Sequence, residues 1–130
     1  MASSGKALRR FDCPVAGFQQ IISGKYKLRI LWDLQSGPRR YGAIRQGLSG
    51  TIGAKDITPR VLSRELKTLT EMGLLRRRDY KVVPPKVEYA LSAEARTLIP
   101  VIAVMHKWGA EHLVRRSSLR KMGALPGGES

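Results

Sequence analysis

Residues 58–73 read Thr-Pro-Arg-Val-Leu-Ser-Arg-Glu-Leu-Lys-Thr-Leu-Thr-Glu-Met-Gly, and this stretch constrains the fold more than any other. Thr58 can cap a helix, and Pro59 suits the first helical position, where no N–H is needed. Gly73 is a good stop. At ~100° per residue, Arg60, Arg64, Lys67 and Glu71 fall within an arc of roughly 60°, with Ser63 alongside, while Val61, Leu62, Leu66, Leu69 and Met72 lie opposite. One face is core, and the other is charged and mostly basic. A chain built around this helix must supply apolar elements on one side of it and leave the other side open.

The flanking sequence supplies them. Asp12 or Cys13 can cap a helix opened by Pro14, with Phe18, Ile21 and Ile22 as its apolar stripe and Gly24 as its end. A second helix, over about 25–34, buries Ile30, Leu31 and Leu34 and breaks at Ser36-Gly37-Pro38. A short third, over 41–48, buries Ile44 and Leu48. Gly50 to Asp56 reads as a loop, and Arg39-Arg40 as another. Downstream, Arg76 to Val83 and Lys86 to Leu91 read as two strands joined at Pro84-Pro85, with Val87, Tyr89 and Leu91 sharing a face. The tip of this hairpin is basic. Ser92 caps a last helix carrying Leu98, Ile102, Met105, Trp108 and His112 at spacings of three and four, and Pro100 should kink it. The expected fold is mainly α with a β-hairpin wing: a winged helix-turn-helix domain over 12–114, a flexible basic arm over 1–11 and a flexible basic tail over 115–130.

Charge indicates the partner. Lys and Arg number 24 against 10 Asp and Glu, a net +14 over 130 residues. Such a surplus is costly in self-repulsion and is ordinarily tolerated because a polyanion neutralises it. It is concentrated centrally. Residues 39–86 hold twelve basic and four acidic side chains, net +8, against +4 for 1–38 and +2 for 87–130. Aromatic residues make up 6% of the chain, too few for a single-strand binder built on stacking platforms. A four-turn helix fits the major groove of duplex DNA, with its first turns reaching base edges. The candidate DNA-binding residues are therefore Thr58, Arg60, Val61, Ser63, Arg64 and Lys67 on the helix. Lys25, Arg39 and Arg40 lie before it, with Arg45 near the DNA backbone. Arg76, Arg77, Arg78, Tyr80, Lys81 and Lys86, at the hairpin tip, would reach flanking phosphates or a minor groove.

Several groups of residues together resemble the HxlR-type, MarR-like winged helix-turn-helix transcription regulators of bacteria and archaea. They are Cys13-Pro14, Ser23 to Lys27, Ile30 to Leu34, Gly37 to Tyr41, and Leu62 to Leu66 with Leu69 and Met72 to Leu74. Val83-Pro84-Pro85-Lys86-Val87-Glu88-Tyr89 is the most specific, and Leu91-Ser92 and Trp108-Gly109 complete the match over about 12–113. The resemblance implies a homodimer, joined through its first and last helices, that binds an inverted repeat in double-stranded DNA near a promoter. Phe18, Ile102, Met105, Trp108 and His112 are the candidate interface residues, since they offer more apolar surface than one small wing fold needs to cover. Gly50 to Asp56 departs from the family pattern as an insertion of a few residues, and Lys55 in it would add a backbone contact.

The family also implies that a cysteine at position 13 senses oxidants, quinones or aldehydes. Cys13 opens a helix and follows Lys6, Arg9 and Arg10, both of which favour a thiolate. It is the chain's single cysteine, so a switch would be a disulfide between subunits or an adduct with a small thiol or electrophile. The other reading is a small buried residue with no signalling role. His106 and His112 lack partners at ligand spacing, so no metal and no cofactor are expected. No phosphate loop, paired carboxylates or nucleophile triad marks an enzyme. No apolar run reaches the ~20 residues of a membrane span, and the start of the chain has no apolar signal core. The expected location is the cytoplasm, on the nucleoid. The alternative function is a non-specific, architectural nucleic-acid binder, which needs no operator and predicts a steep salt dependence with little sequence preference.

Overall fold

In a computed structural model that describes residues 13–49 and 57–114, the first helix begins where Pro14 permits. Helix α1, Pro14–Ile22, follows Cys13 in extended backbone, and the Cys13 side chain makes no capping hydrogen bond. Phe18, Ile21 and Ile22 are half-buried. Gly24, at φ +96°, turns the chain. Helix α2, Lys27–Asp33, starts later than expected and leaves Lys25 in the turn; a 3-10 turn over Leu34–Ser36 extends it. Ile30, Leu31 and Leu34 are fully buried, as their spacing predicts. The expected basic arm and tail, Asp12 as a cap and the Gly50 to Asp56 loop with Lys55 lie outside the described residues.

Arg39–Arg40, expected in a loop, form strand β1. Two residues are too few to show alternation, and their structure comes from pairing with a distant partner. Helix α3, Tyr41–Leu48, follows directly and buries Ile44 and Leu48. Helix α4, Pro59–Glu71, buries Leu62, Leu66 and Leu69. The Thr58 hydroxyl accepts the Val61 N–H at 3.2 Å. At its other end Leu74 N–H donates to Leu69 C=O and Gly73 N–H to Thr70 C=O, both at 3.0 Å. These two bonds, with Gly73 at φ +79°, are a Schellman termination.

Strands β2, Leu75–Asp79, and β3, Val87–Leu91, pair antiparallel, and β3 is central in the order β1-β3-β2. The sheet therefore has three strands where a two-stranded hairpin was expected. Arg76, Arg77 and Arg78 lie within β2 and not at the tip. The strand stops at Asp79 because its Oδ1 accepts the Lys81 N–H at 2.8 Å and Lys81 turns left-handed at φ 55°. Tyr80 N–H closes the loop on Lys86 C=O at 2.9 Å.

Ser92 joins this hairpin to the last helix. Its hydroxyl donates to Gly73 C=O at 2.7 Å and accepts the Ala95 N–H at 3.1 Å, while its N–H donates to Leu74 C=O at 3.1 Å. The residue is 9% exposed. Ser92→Ala removes the cap and takes the hydroxyl donor from the part-buried Gly73 carbonyl, so an expected loss of about 1–2 kcal/mol should be measurable by urea unfolding.

Helix α5 covers Ala93–Gly109, with Pro100 inside it, and a π-helical turn, Ala110–Val114, follows. The chain divides into two compact units at this proline, the first ending at Ile99. In the second unit Ile102 is 5% exposed, whereas Trp108 is 54% and Val104 68% exposed. No described helix is long and apolar enough to cross a membrane.

Candidate nucleic-acid interface

Helix α4 separates its two faces as its sequence dictates. Arg60, Ser63, Arg64 and Lys67 are exposed, opposite buried Leu62, Leu66 and Leu69. Among the described residues these four side chains have no hydrogen-bond or ionic partner, so all remain available to a ligand. Val61 is half-buried, and the Thr58 hydroxyl is engaged in its cap.

Three contacts fix this helix. The Tyr41 hydroxyl, at the start of α3, donates to Pro59 C=O at 3.2 Å. Arg45 Nε donates to Ile57 C=O at 3.3 Å. Arg45, expected near the DNA backbone, uses its Nε to hold the chain where it re-enters the core at Ile57, which is 3% exposed. Third, Lys27 Nζ of α2 lies 2.9 Å from Glu65 Oε1 of α4, with both side chains 12% exposed. Sequence reasoning missed this pair, although a signal was present. Glu65 falls at ~140° from Arg60 on the helical wheel, inside the apolar arc, where a charge requires a partner.

The wing's cations are sorted by register. Facing residues of paired strands lie on one side of a sheet. Glu88 faces Arg40 on β1 and Arg78 on β2, while Tyr89 faces Arg39 and Arg77. Leu75 and Leu91, both buried, share the Tyr89 face, so that face is the core side. Arg76 and Arg78 are on the outer side with Arg40. Arg39 also donates to Ser36 Oγ at 3.3 Å.

Around Tyr80 the structure gathers Arg78 and Lys86, read with it as hairpin residues, against one ring. Its ring lies 4.4 Å from the Arg78 guanidinium carbon and 4.3 Å from Lys86 Nζ. Its hydroxyl donates to Glu88 Oε1 at 2.7 Å. That bond, made by the neutral phenol, holds the Tyr80 pKa above 10.0; desolvation adds to the rise, and Arg78 and Arg40 oppose it. Lys81 is exposed on the loop. Lys25 is exposed in the α1–α2 turn, its Nζ 6.0 Å from the Tyr26 ring.

Cys13 is exposed and carries a free thiol. That excludes, for this chain on its own, the reading of Cys13 as a buried packing residue. Trp108 and His112 stack with ring centroids 4.6 Å apart, and His112 Nδ1 lies 3.0 Å from Trp108 C=O. Among the described residues no group of three or more His, Cys, Asp and Glu side chains could hold a metal ion.

Comparison with known proteins places this arrangement. A family model described as HxlR-like helix-turn-helix matches residues 21–117. The HTH-type transcriptional regulator YdeP of Bacillus subtilis is 39% identical over 107 residues, which is 82% of this chain and 79% of that protein. An HTH-type transcriptional regulator of Methanothermobacter thermautotrophicus is 34% identical over 75% of this chain and 70% of its own length. Among solved structures, the redox regulator HypR in its oxidized form superposes with a TM-score of 0.67 at 34% identity, covering 77% of this chain and 97% of that one. The reduced form gives 0.69 at 31% identity, covering 79% and 98%.

Proposed function

The chain belongs to the HxlR-like helix-turn-helix family and is a DNA-binding transcriptional regulator of that type and not an enzyme; we propose that it acts as a homodimer on an inverted-repeat operator. The observation that carries this reading is the unpartnered face of α4, on which Arg60, Ser63, Arg64 and Lys67 stand exposed while the opposite face is locked into the core. In the proposed complex the first turns of α4 enter the major groove, and the hairpin cations lie along flanking backbone. Pairing through α1 and α5, with Phe18, Met105, Trp108 and His112 in the interface, would set two such helices about 34 Å apart, one turn of DNA. Ile102, grouped with them from its spacing, is 5% exposed, so little of it is left to enter an interface.

The two groups of cations have different roles. Arg64→Ala is expected to cost about 1–3 kcal/mol on the operator and to relax preference at the base it reads, while Arg77→Ala should weaken binding to every duplex alike and lower the salt slope by about one. Equal losses on all sequences for both variants would overturn the assignment. The deciding experiment is footprinting on DNA upstream of the chain's own gene, with excess sheared genomic DNA as competitor. Protection of a palindrome that survives competitor supports the regulator. Binding that the competitor removes completely supports the architectural alternative.

Cys13 is the proposed input. Support comes from its exposed thiol beside α1 and from the likeness to HypR, titled a redox regulator and known in oxidized and reduced forms. In the proposed switch two Cys13 thiols, one per protomer, lose two electrons and two protons to an oxidant such as diamide, which is reduced to the hydrazine, and an intersubunit disulfide forms. Operator binding should change on diamide treatment and recover with dithiothreitol, whereas Cys13→Ser should not respond. A Cys13→Ser protein that responds like the wild type would remove Cys13 from this role.

A further inference from the structure

The wing carries a carboxylate where phosphate is to approach. On charge alone this is unfavourable, since Glu88 repels a polyanion. Its surroundings supply a reason for it. Glu88 sits on the central strand with Arg40 opposite on one side and Arg78 on the other. Its Oε1 accepts the Tyr80 hydroxyl at 2.7 Å. The ring so oriented has Arg78 at 4.4 Å and Lys86 at 4.3 Å, the first from β2 and the second from the far end of the loop. The loop is itself closed by the Tyr80 N–H to Lys86 C=O bond at 2.9 Å. Two long cationic side chains, which on an open hairpin would sample many rotamers, are held against one fixed surface. Ordering them before binding lowers the entropy lost when a ligand engages both.

We propose that Tyr80 and Glu88 are positioning residues: Glu88 orients the Tyr80 ring, and the ring holds Arg78 and Lys86 as a preformed two-cation clamp for one backbone phosphate of duplex DNA. The inference rests on the DNA-binding reading above and deepens it. It also reassigns Tyr80, whose hydroxyl is engaged with Glu88 and whose part is to hold the cations. Arg40, across the strand from Glu88, balances the carboxylate, so the clamp cations are left with charge to offer.

The clamp and simple electrostatics predict opposite signs. If Glu88 acts only as a charge, Glu88→Leu and Glu88→Gln should both tighten binding and steepen the salt slope. If it positions Tyr80, Glu88→Leu loses the acceptor and should weaken binding, whereas Glu88→Gln keeps an acceptor without the charge and should bind at least as tightly as the wild type. The experiment is fluorescence anisotropy with a mixed-sequence duplex, which needs no operator, at a series of salt concentrations. Glu88→Leu and Tyr80→Leu are each expected to weaken binding roughly threefold to tenfold and to lower the salt slope by about one. The double variant should be no weaker than Tyr80→Leu. Tyr80 lies in the loop, so its variant keeps the test valid even if the strand substitution lowers stability. Binding by Glu88→Leu as tight as or tighter than wild type, equal loss in Glu88→Gln and Glu88→Leu, or unchanged binding by Tyr80→Leu would each overturn the clamp while leaving the regulator intact. A wild-type chain that left the duplex free would overturn the DNA-binding reading, and the clamp with it.

Discussion

Trp108→Asp is expected to split the proposed homodimer and to reduce affinity for its proposed operator by a hundredfold or more. Trp108 is 54% exposed in the single chain and stacks on His112, one turn further on. Val101, Val104 and Met105 precede it at helical spacing, exposed by 45%, 68% and 38%. Each such side chain gains about 1.5–3 kcal/mol when fully buried, and a two-fold interface counts every residue twice. An aspartate at this position removes the largest apolar surface from both protomers and places two carboxylates in the contact, where burial of unpaired charge is costly. The consequence for DNA follows from linkage. In the proposed dimer the two α4 helices would bind the second half-site as an intramolecular event, and that advantage is of order a hundredfold or more. Molecular mass by light scattering over a dilution series checks the first expectation, and a gel shift on a full palindrome and on a single half-site checks the second. Unchanged affinity for the half-site together with loss on the palindrome identifies the dimer as what failed. A variant that remains dimeric would place the interface elsewhere.

The same helix illustrates what the sequence could and could not reveal. Ile102, Met105 and Trp108 stand three apart and read as one stripe, yet Ile102 is covered within the chain while Trp108 is exposed. Periodicity marks an apolar residue and its angle, but α5 has apolar residues on more than one side, and spacing alone does not say which of them is covered. Helix α4 was legible to within a residue because its signals are local: Thr58 caps it, Pro59 opens it and Gly73 closes it without help from any other element. Strand β1 was not legible, since two arginines have no pattern and only pairing with Glu88 and Tyr89 makes them a strand. The three arginines 76–78 were read on the hairpin's first strand but grouped with its basic tip, because charge alone carries no register. The register instead distributes them to alternating faces. Of the candidate interface, the exposed face of α4 followed from the sequence. The contacts that orient the interface, Arg45 to Ile57 and Lys27 to Glu65, link residues far apart along the chain and appear only in the fold.

The Lys27–Glu65 pair leads to the second large effect. Glu65→Gln is expected to lower the unfolding free energy by roughly 3 kcal/mol, a large part of the total for a domain of this size. The pair is held by charge more than by direction: the nitrogen–oxygen approach is 2.9 Å, but Oε1 lies off the line of a hydrogen bond. With both side chains 12% exposed, little water reaches either ion. Removing the carboxylate charge leaves the Lys27 ammonium, among the described residues, with the Ser23 carbonyl at 3.4 Å, in a site where a lone charge is poorly solvated. The cost is therefore that of an uncompensated cation and exceeds the net value of the intact pair. It follows that Lys27→Met combined with Glu65→Leu should recover most of the loss, because apolar side chains of similar size fill the space without any charge to solvate. Urea unfolding of the two single variants and the double separates these terms. A Glu65→Gln variant as stable as wild type would mean that water screens the pair after all. Glu65 directly follows Arg64, so the pair also ties the exposed face of α4, proposed to read bases, to α2. A double variant that is stable but no longer discriminates the operator would show that the charge pair sets the helix position as well as its stability, because the 2.9 Å approach of the two ions fixes a spacing that apolar side chains do not impose.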